Sequence, residues 1–233
     1  MTVITSPHNQ HIKEVRKLQT RRGRARDGRF VAEGEDLLAA ADTAGWPARE
    51  RYCAAGSGLG GTEVEPAVLA LASTLGSGTR ALAVYDQRWQ SPAGPLCVYL
   101  HGVRDPGNVG AVLRSAAAFG ATSIVLGAHC ADPYGPRAVR ASMGAVFEVA
   151  LARAGVEDLP GERVALVAHD GDKLRGPAAG EVSLVVGAER EGLPAEVVER
   201  CDRVAHIPVH GDSLNAAVAA SVALYELTRM AAP

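Results

Sequence analysis

Apolar positions near the start of the chain recur every three residues at Ile12, Val15 and Leu18, and this one-faced spacing predicts a helix over 8–19. The Arg-rich stretch after it has no such period and reads as a loop. Phe30-Val31-Ala32 predicts a short strand, followed by a helix over 36–44 closed by Gly45. Strands over 51–55 and 81–85 flank a helix over 67–75. The run Gln90-Ser91-Pro92-Ala93-Gly94-Pro95 is dense in breakers and reads as a linker. Beyond it the alternation restarts with strands over 96–101 and 123–126 around a helix over 109–119. A helix over 137–143 and a strand near 147–150 follow. The unbroken apolar runs over 164–168 and 182–186 have the character of strands covered on both faces of a parallel sheet. A short helix over 195–200, a strand over 203–206 and a long helix over 214–230 complete the pattern. It predicts two α/β domains: a small one over 1–90, a linker at 91–95, and a second over 96–233 built on a mostly parallel sheet.

Composition changes this picture little. Of 233 residues, 47% are hydrophobic and 21% charged, which excludes a disordered chain. The best apolar run, 216–224, is interrupted by Ser221 and is far too short to span a bilayer, and the N-terminus has no apolar signal region. Cys53, Cys97, Cys130 and Cys201 form no CxxC pair, so reduced thiols in a cytoplasmic protein are expected. Charge distribution is more telling. The net charge is −2, yet Lys13, Arg16, Lys17, Arg21, Arg22, Arg24, Arg26 and Arg29 face only Glu14 and Asp27. That is +6 over 17 residues, leaving −8 for the remainder. The bland reading is a solvated helix end and loop; a basic stripe on an acidic protein is also what phosphate contacts with a nucleic acid require.

Several familiar motifs fail on context. Gly56-Ser57-Gly58-Leu59-Gly60-Gly61 matches GxGxxG, but Thr62 to Pro66 separate it from the next helix, so it reads as a surface loop. Pro208 forbids a helix that would converge His206 and His210 on a metal. Metal catalysis and a serine nucleophile find no support. Three segments of the second domain remain, each at a strand end, where open α/β sheets bind ligands. The first is Asp105-Pro106-Gly107-Asn108-Val109-Gly110-Ala111-Val112-Leu113-Arg114, with Asn108 read as a helix N-cap. The second runs from Gly187 through Glu189 to Gly192, where glycines let a ligand approach backbone. The third is Ile207-Pro208-Val209-His210-Gly211-Asp212-Ser213-Leu214-Asn215, with Ser213 or Asp212 as N-cap of the last helix.

These segments resemble motifs 1, 2 and 3 of the SpoU (TrmH) branch of the SPOUT methyltransferases. The matches are Asn-x-Gly-x-x-x-Arg at Asn108, Gly110 and Arg114, then Gly-x-Glu-x-x-Gly at Gly187, Glu189 and Gly192. Ile-Pro and Ser-Leu-Asn follow at Ile207, Pro208, Ser213, Leu214 and Asn215. The stretches from Ile4 and from Gly28 are similar to the L30e-like substrate-binding domain of rRNA-directed members. The resemblance implies a homodimeric RNA ribose 2′-O-methyltransferase whose C-terminal domain carries a deep trefoil knot. It implies S-adenosyl-L-methionine held near Gly187, Gly192, Ile207, Pro208 and Leu214. Arg114 would anchor a phosphate and stabilise the developing alkoxide, Glu189 would hold Arg114 or its loop, and Asn108, Ser213 and Asn215 would order ribose and loops. In one departure, Gly211-Asp212-Ser213 is two residues shorter than the family pattern. The expected substrate is 23S rRNA, with tRNA as the alternative; a non-catalytic rRNA-binding module and a nicotinamide enzyme resting on the Gly56 loop are the rivals.

Overall fold

The computed structural model describes residues 3–74, 78–211 and 213–229. In chain order its elements are α1 (Gln10–Leu18), α2 (Arg21–Asp27), β1 (Arg29–Glu33), α3 (Glu35–Thr43), β2 (Glu50–Ala54), β3 (Thr62–Val64), α4 (Pro66–Ala72), β4 (Ala81–Asp86), β5 (Leu96–Leu100), α5 (Pro106–Ala118), β6 (Ser123–Leu126), α6 (Pro136–Ala141), β7 (Ala150–Ala152), β8 (Glu162–Val167), β9 (Asp172–Lys173), β10 (Val182–Val186), α7 (Ala195–Val198), β11 (Arg203–His206) and α8 (Ala216–Thr228). The chain divides into two units. One comprises Met1–Gln87 with Asp132–Phe147, the other Arg88–Ala131 with Glu148–Pro233. Among the described residues no helix is long and apolar enough to cross a membrane.

In the first unit a four-stranded mixed sheet has the order β1-β4-β2-β3. Register sorts its two faces. Phe30 pairs with Tyr85 and Val31 with Val84, so aromatic and aliphatic pairs alternate across the sheet. The aliphatic face packs on Ile12, Val15 and Leu18 of α1 and on Val68 and Leu69 of α4. The aromatic face gathers Phe30, Trp46, Tyr85, Tyr134 and Phe147, with the Trp46 indole donating to the Phe147 carbonyl at 2.8 Å. Those ring contacts explain why Asp132–Phe147 groups with the first unit although the sequence pattern assigns it to the second.

The Arg-rich stretch is a helix, not the expected loop. Thr20 caps α2 by accepting from the Gly23 amide, and Gly28 ends it in the left-handed region at φ 62°. An interior of Arg-Arg-Gly-Arg-Ala-Arg has no apolar stripe, so periodicity could not announce it.

The second unit is a seven-stranded sheet of order β7-β6-β5-β10-β8-β11-β9, with every described pairing parallel. Every residue of β5 and β10 is buried, as their continuous apolar runs predict. Val186 pairs with both Leu100 and Leu166, so β5 and β10 end together and β8 runs one residue further, to Val167. Strand β7 lies at Ala150–Ala152; the expected strand near 147–150 begins too early because Ala145–Phe147 is a turn of 3₁₀ helix. Strands β3 and β9, of three and two residues, have no sequence signal. Leu75 and Met230, the expected ends of two helices, lie outside the described residues.

Candidate active site

Strand order brings the three segments together. The loop after β10 lies between the loop after β5 and those after β8 and β11. Helix α5 starts earlier than expected: Asp105 is its N-cap, accepting from the Asn108 amide at 3.0 Å, and Pro106 fills the first turn. Asn108 is therefore inside the helix and its side chain is free to bond elsewhere. Its amide nitrogen donates to Glu189 Oε1, and its Oδ1 accepts from Asn215 Nδ2 at 3.1 Å. Asn215, rather than Ser213, caps α8, accepting from the Ala217 and Val218 amides at 2.9 and 3.3 Å. The alternative cap, Asp212, lies outside the described residues. One side chain from each segment thus joins a single hydrogen-bonded chain, Glu189–Asn108–Asn215.

Beside it is a cavity of about 420 Å³. Gly187, Glu189, Gly192, Ile207, Ser213 and Leu214 all line it; Pro208 is exposed between the lining residues Ile207 and Val209. The loop after β10 closes on itself, with the Gly192 amide donating to the Ala188 carbonyl at 3.0 Å. A Cβ at Gly187 would stand 2.4 Å from the Gly192 carbonyl, so only glycine permits that closure. Leu166, Val167 and Ala168 at the end of β8 also line the cavity, as do Ala216 and Ala219 of α8. Sequence reasoning missed these residues. They owe their place to β8 lying between β10 and β11, and nothing local in the chain encodes strand order.

Arg114 stands apart from this cluster. It is exposed on α5, makes no described hydrogen bond or ion pair, and does not line the cavity. Glu189 is bonded to Asn108 and has no described bond to Arg114. Close by, the His101 amide donates to the Val186 carbonyl at 2.8 Å, and Tyr99 Oη lies 3.3 Å from His101 Nδ1. Burial, then the neighbouring His129, holds the His101 imidazole below its ordinary range, and burial pushes the Tyr99 phenol up to about 12.

In the first unit Lys13, Arg16 and Lys17 of α1 and Arg21, Arg22 and Arg26 of α2 are exposed, and Arg29 is partly so. Arg24 is a correction to the basic stripe. Its side chain is 6% exposed, pairs with Asp132 at 2.8 Å and donates to the Leu18 carbonyl at 2.9 Å, so it is committed to the fold. Arg26 pairs with Asp27 at 2.6 Å. The Gly56–Gly61 loop opens onto β3 and not a helix, so no helix N-terminus faces it.

Residues 95–225 match the SpoU rRNA Methylase family, and residues 9–86 match the MRM3-like substrate binding domain. The chain is 32% identical to an uncharacterised tRNA/rRNA methyltransferase of Synechocystis, covering 97% of this chain and 93% of that one. It is 27% identical to the 23S rRNA (guanosine(2553)-2′-O)-methyltransferase RlmP of Bacillus subtilis, covering 97% and 99%. Among solved structures, the AdoMet-bound rRNA methyltransferase of Sinorhizobium meliloti superposes with a TM-score of 0.87 at 30% identity, over 97% of each chain.

Proposed function

From a chain that belongs to the SpoU rRNA methylase family, we propose an RNA methyltransferase that uses S-adenosyl-L-methionine to methylate a ribose 2′-hydroxyl, with 23S rRNA as its target. The observation that carries this reading is the convergence of Glu189, Asn108 and Asn215 beside the glycine-bounded cavity. The cavity suits the cofactor. Its volume lies within the roughly 300–1,000 Å³ of small-molecule sites, its walls include the apolar Leu166, Ile207 and Leu214, and Gly187 and Gly192 leave backbone uncovered.

Bound there, S-adenosylmethionine supplies an electrophilic methyl group on a sulfonium. Leu166, Ile207 and Leu214 would shield it from water on their side, and the Glu189–Asn108–Asn215 chain fixes the three loops against one another. The 2′-hydroxyl must be aligned and lose a proton of high pKa. Arg114 is the residue for this step. A guanidinium stays protonated, so it acts by charge, anchoring the adjacent phosphate and stabilising the developing alkoxide while the proton leaves to water or a phosphate oxygen. Ser213, an exposed residue of the cavity lining, orders the ribose in this reading. Lys13, Arg16, Lys17, Arg21 and Arg22 provide the phosphate-binding face of the first unit. Two copies form a dimer through α8, where Val218, Val222 and Tyr225 make an exposed apolar stripe 47%, 39% and 58% accessible.

The test supplies labelled S-adenosylmethionine with deproteinised 23S rRNA, 16S rRNA and total tRNA, then digests the product to nucleosides. Label in a 2′-O-methylnucleoside from 23S rRNA is the expected result. Label confined to tRNA moves the target, and label on a base, or none in any RNA, overturns the reaction.

A further inference from the structure

A second cleft lies wholly in the first unit, at the start of β2. It measures about 330 Å³ and is lined by His11, Arg49, Glu50, Arg51 and Tyr52, among others. Its chemistry exceeds what the fold requires. Glu50 Oε2 accepts from the Tyr52 hydroxyl and lies 3.3 Å from His11 Nδ1, so one carboxylate oxygen orients both rings. Tyr52 is 2% exposed, and burial followed by the bond to Glu50 pushes its phenol upward, which keeps it a neutral donor to that carboxylate. The His11 side chain is 57% exposed, held at Nδ1 with its ring tilted over Tyr52 at 6.2 Å. Two guanidiniums flank the cleft. Arg49 is held by Asp86 at 2.7 Å, and Arg51 by Asp42, whose hydrogen bond raises the arginine's already high pKa. Every one of these side chains has a protein partner, while Glu50 Oε1 has none among the described residues and the carboxylate is part-exposed.

We propose that this cleft binds one unpaired nucleotide of the RNA, and that it selects a base carrying an exocyclic amino group. The inference rests on RNA being the substrate. Unpaired bases are read by stacking on aromatic or guanidinium planes and by hydrogen bonds to their edges. Here His11 offers the stacking ring, Arg49 or Arg51 the phosphate contact, and Glu50 Oε1 the acceptor. A carboxylate accepts from the amino groups of cytosine, adenine or guanine. Uracil has no amino group, and its one edge donor, N3–H, lies between two carbonyl oxygens that a carboxylate repels. The carboxylate also disfavours a bare phosphate, which separates this cleft from the basic face of α1 and α2.

The test titrates CMP, AMP, GMP and UMP, with inorganic phosphate beside them, into the full chain while the ring signals of His11 and Tyr52 are followed by NMR. The three amino-bearing nucleotides are expected to shift both rings, with UMP at least tenfold weaker. Glu50→Gln should abolish the preference against UMP, and His11→Ala, an exposed change, should weaken all four. Equal shifts from all four nucleotides and from phosphate would reduce the cleft to an anion site and overturn the proposal. Absence of any shift at about 10 mM, where even a ~1 mM site is filled, would overturn it as well. S-adenosylmethionine binding and label transfer by the wild-type chain report on the methyltransferase reading separately, so either can fail without the other.

Discussion

Arg24 and Arg114 are the same residue type in the two units, and their surroundings are opposite. Arg24 lies in a seven-residue helix whose remaining arginines face solvent, yet it is buried against Asp132 and the Leu18 carbonyl. Arg114 lies in a thirteen-residue helix whose neighbours Val112, Leu113 and Ala116 are buried, yet it is exposed and has no partner among the described residues. A buried charge surrounded by satisfied partners is spent on the fold; an exposed charge with no described partner is available for a substrate. The contrast extends to the units themselves. In the first, polar groups close on each other, as where Glu33 accepts from Gln19, Ser73 and Thr74. In the second, the polar chain Glu189–Asn108–Asn215 sits beside a cavity.

The largest expected effect tests the structural side of that contrast. Arg24→Ala strands Asp132 and should cost about 3–5 kcal/mol of stability, as removal of one member of a buried pair does. Chemical denaturation measures it, and a cost below ~1 kcal/mol would place Arg24 with the solvated cations. Next, Asn108→Ala unlinks the three loops. It leaves Glu189 and Asn215 without their shared partner, a loss of about 1–3 kcal/mol, so calorimetry should show S-adenosylmethionine binding weakened roughly tenfold or more. A variant that binds like wild type would mean the loops hold themselves.

A smaller effect concerns the basic face. If Arg21 and Arg22 contact phosphates, changing each to Gln should lower the slope of log affinity against log salt by about 0.7 per contact for single-stranded RNA. Arg26, already paired with Asp27, should change that slope less. Smallest is the pH response at His101. Its imidazole titrates lower folded than unfolded, so the neutral form is favoured by folding. The stability it contributes is full above the ordinary pKa of about 6.5 and is lost as pH falls below it. Melting temperatures should therefore drop less on acidification in His101→Gln than in wild type.

Legibility in the sequence followed the same division. The second unit's sheet was readable because runs such as Leu96–Leu100 and Val182–Val186 are apolar throughout and only a doubly covered strand needs that. Its motif residues stand out through the resemblance of three ordered segments, and the glycines at Gly187 and Gly192 also mark a backbone constraint. What escaped was three-dimensional. Strand order placed Leu166 to Ala168 at the cavity, and register exposed one aromatic face of the first sheet that Tyr134 and Phe147 then cover. The helix N-cap fell on Asp105 and not Asn108 because Pro106 starts α5 a turn earlier. Arg24 looked like its neighbours because burial of a single arginine depends on Asp132, more than a hundred residues away.

The most direct test of the account is the single-turnover methylation rate of Arg114→Ala against wild type, at saturating RNA and S-adenosylmethionine. Removal of a charge that stabilises a developing oxyanion predicts a rate lower by about 10²–10³, with an unchanged melting temperature because Arg114 is exposed and has no hydrogen bond or ion pair among the described residues. A rate within about twofold of wild type would contradict the account, since Arg114 would then be one more solvated cation.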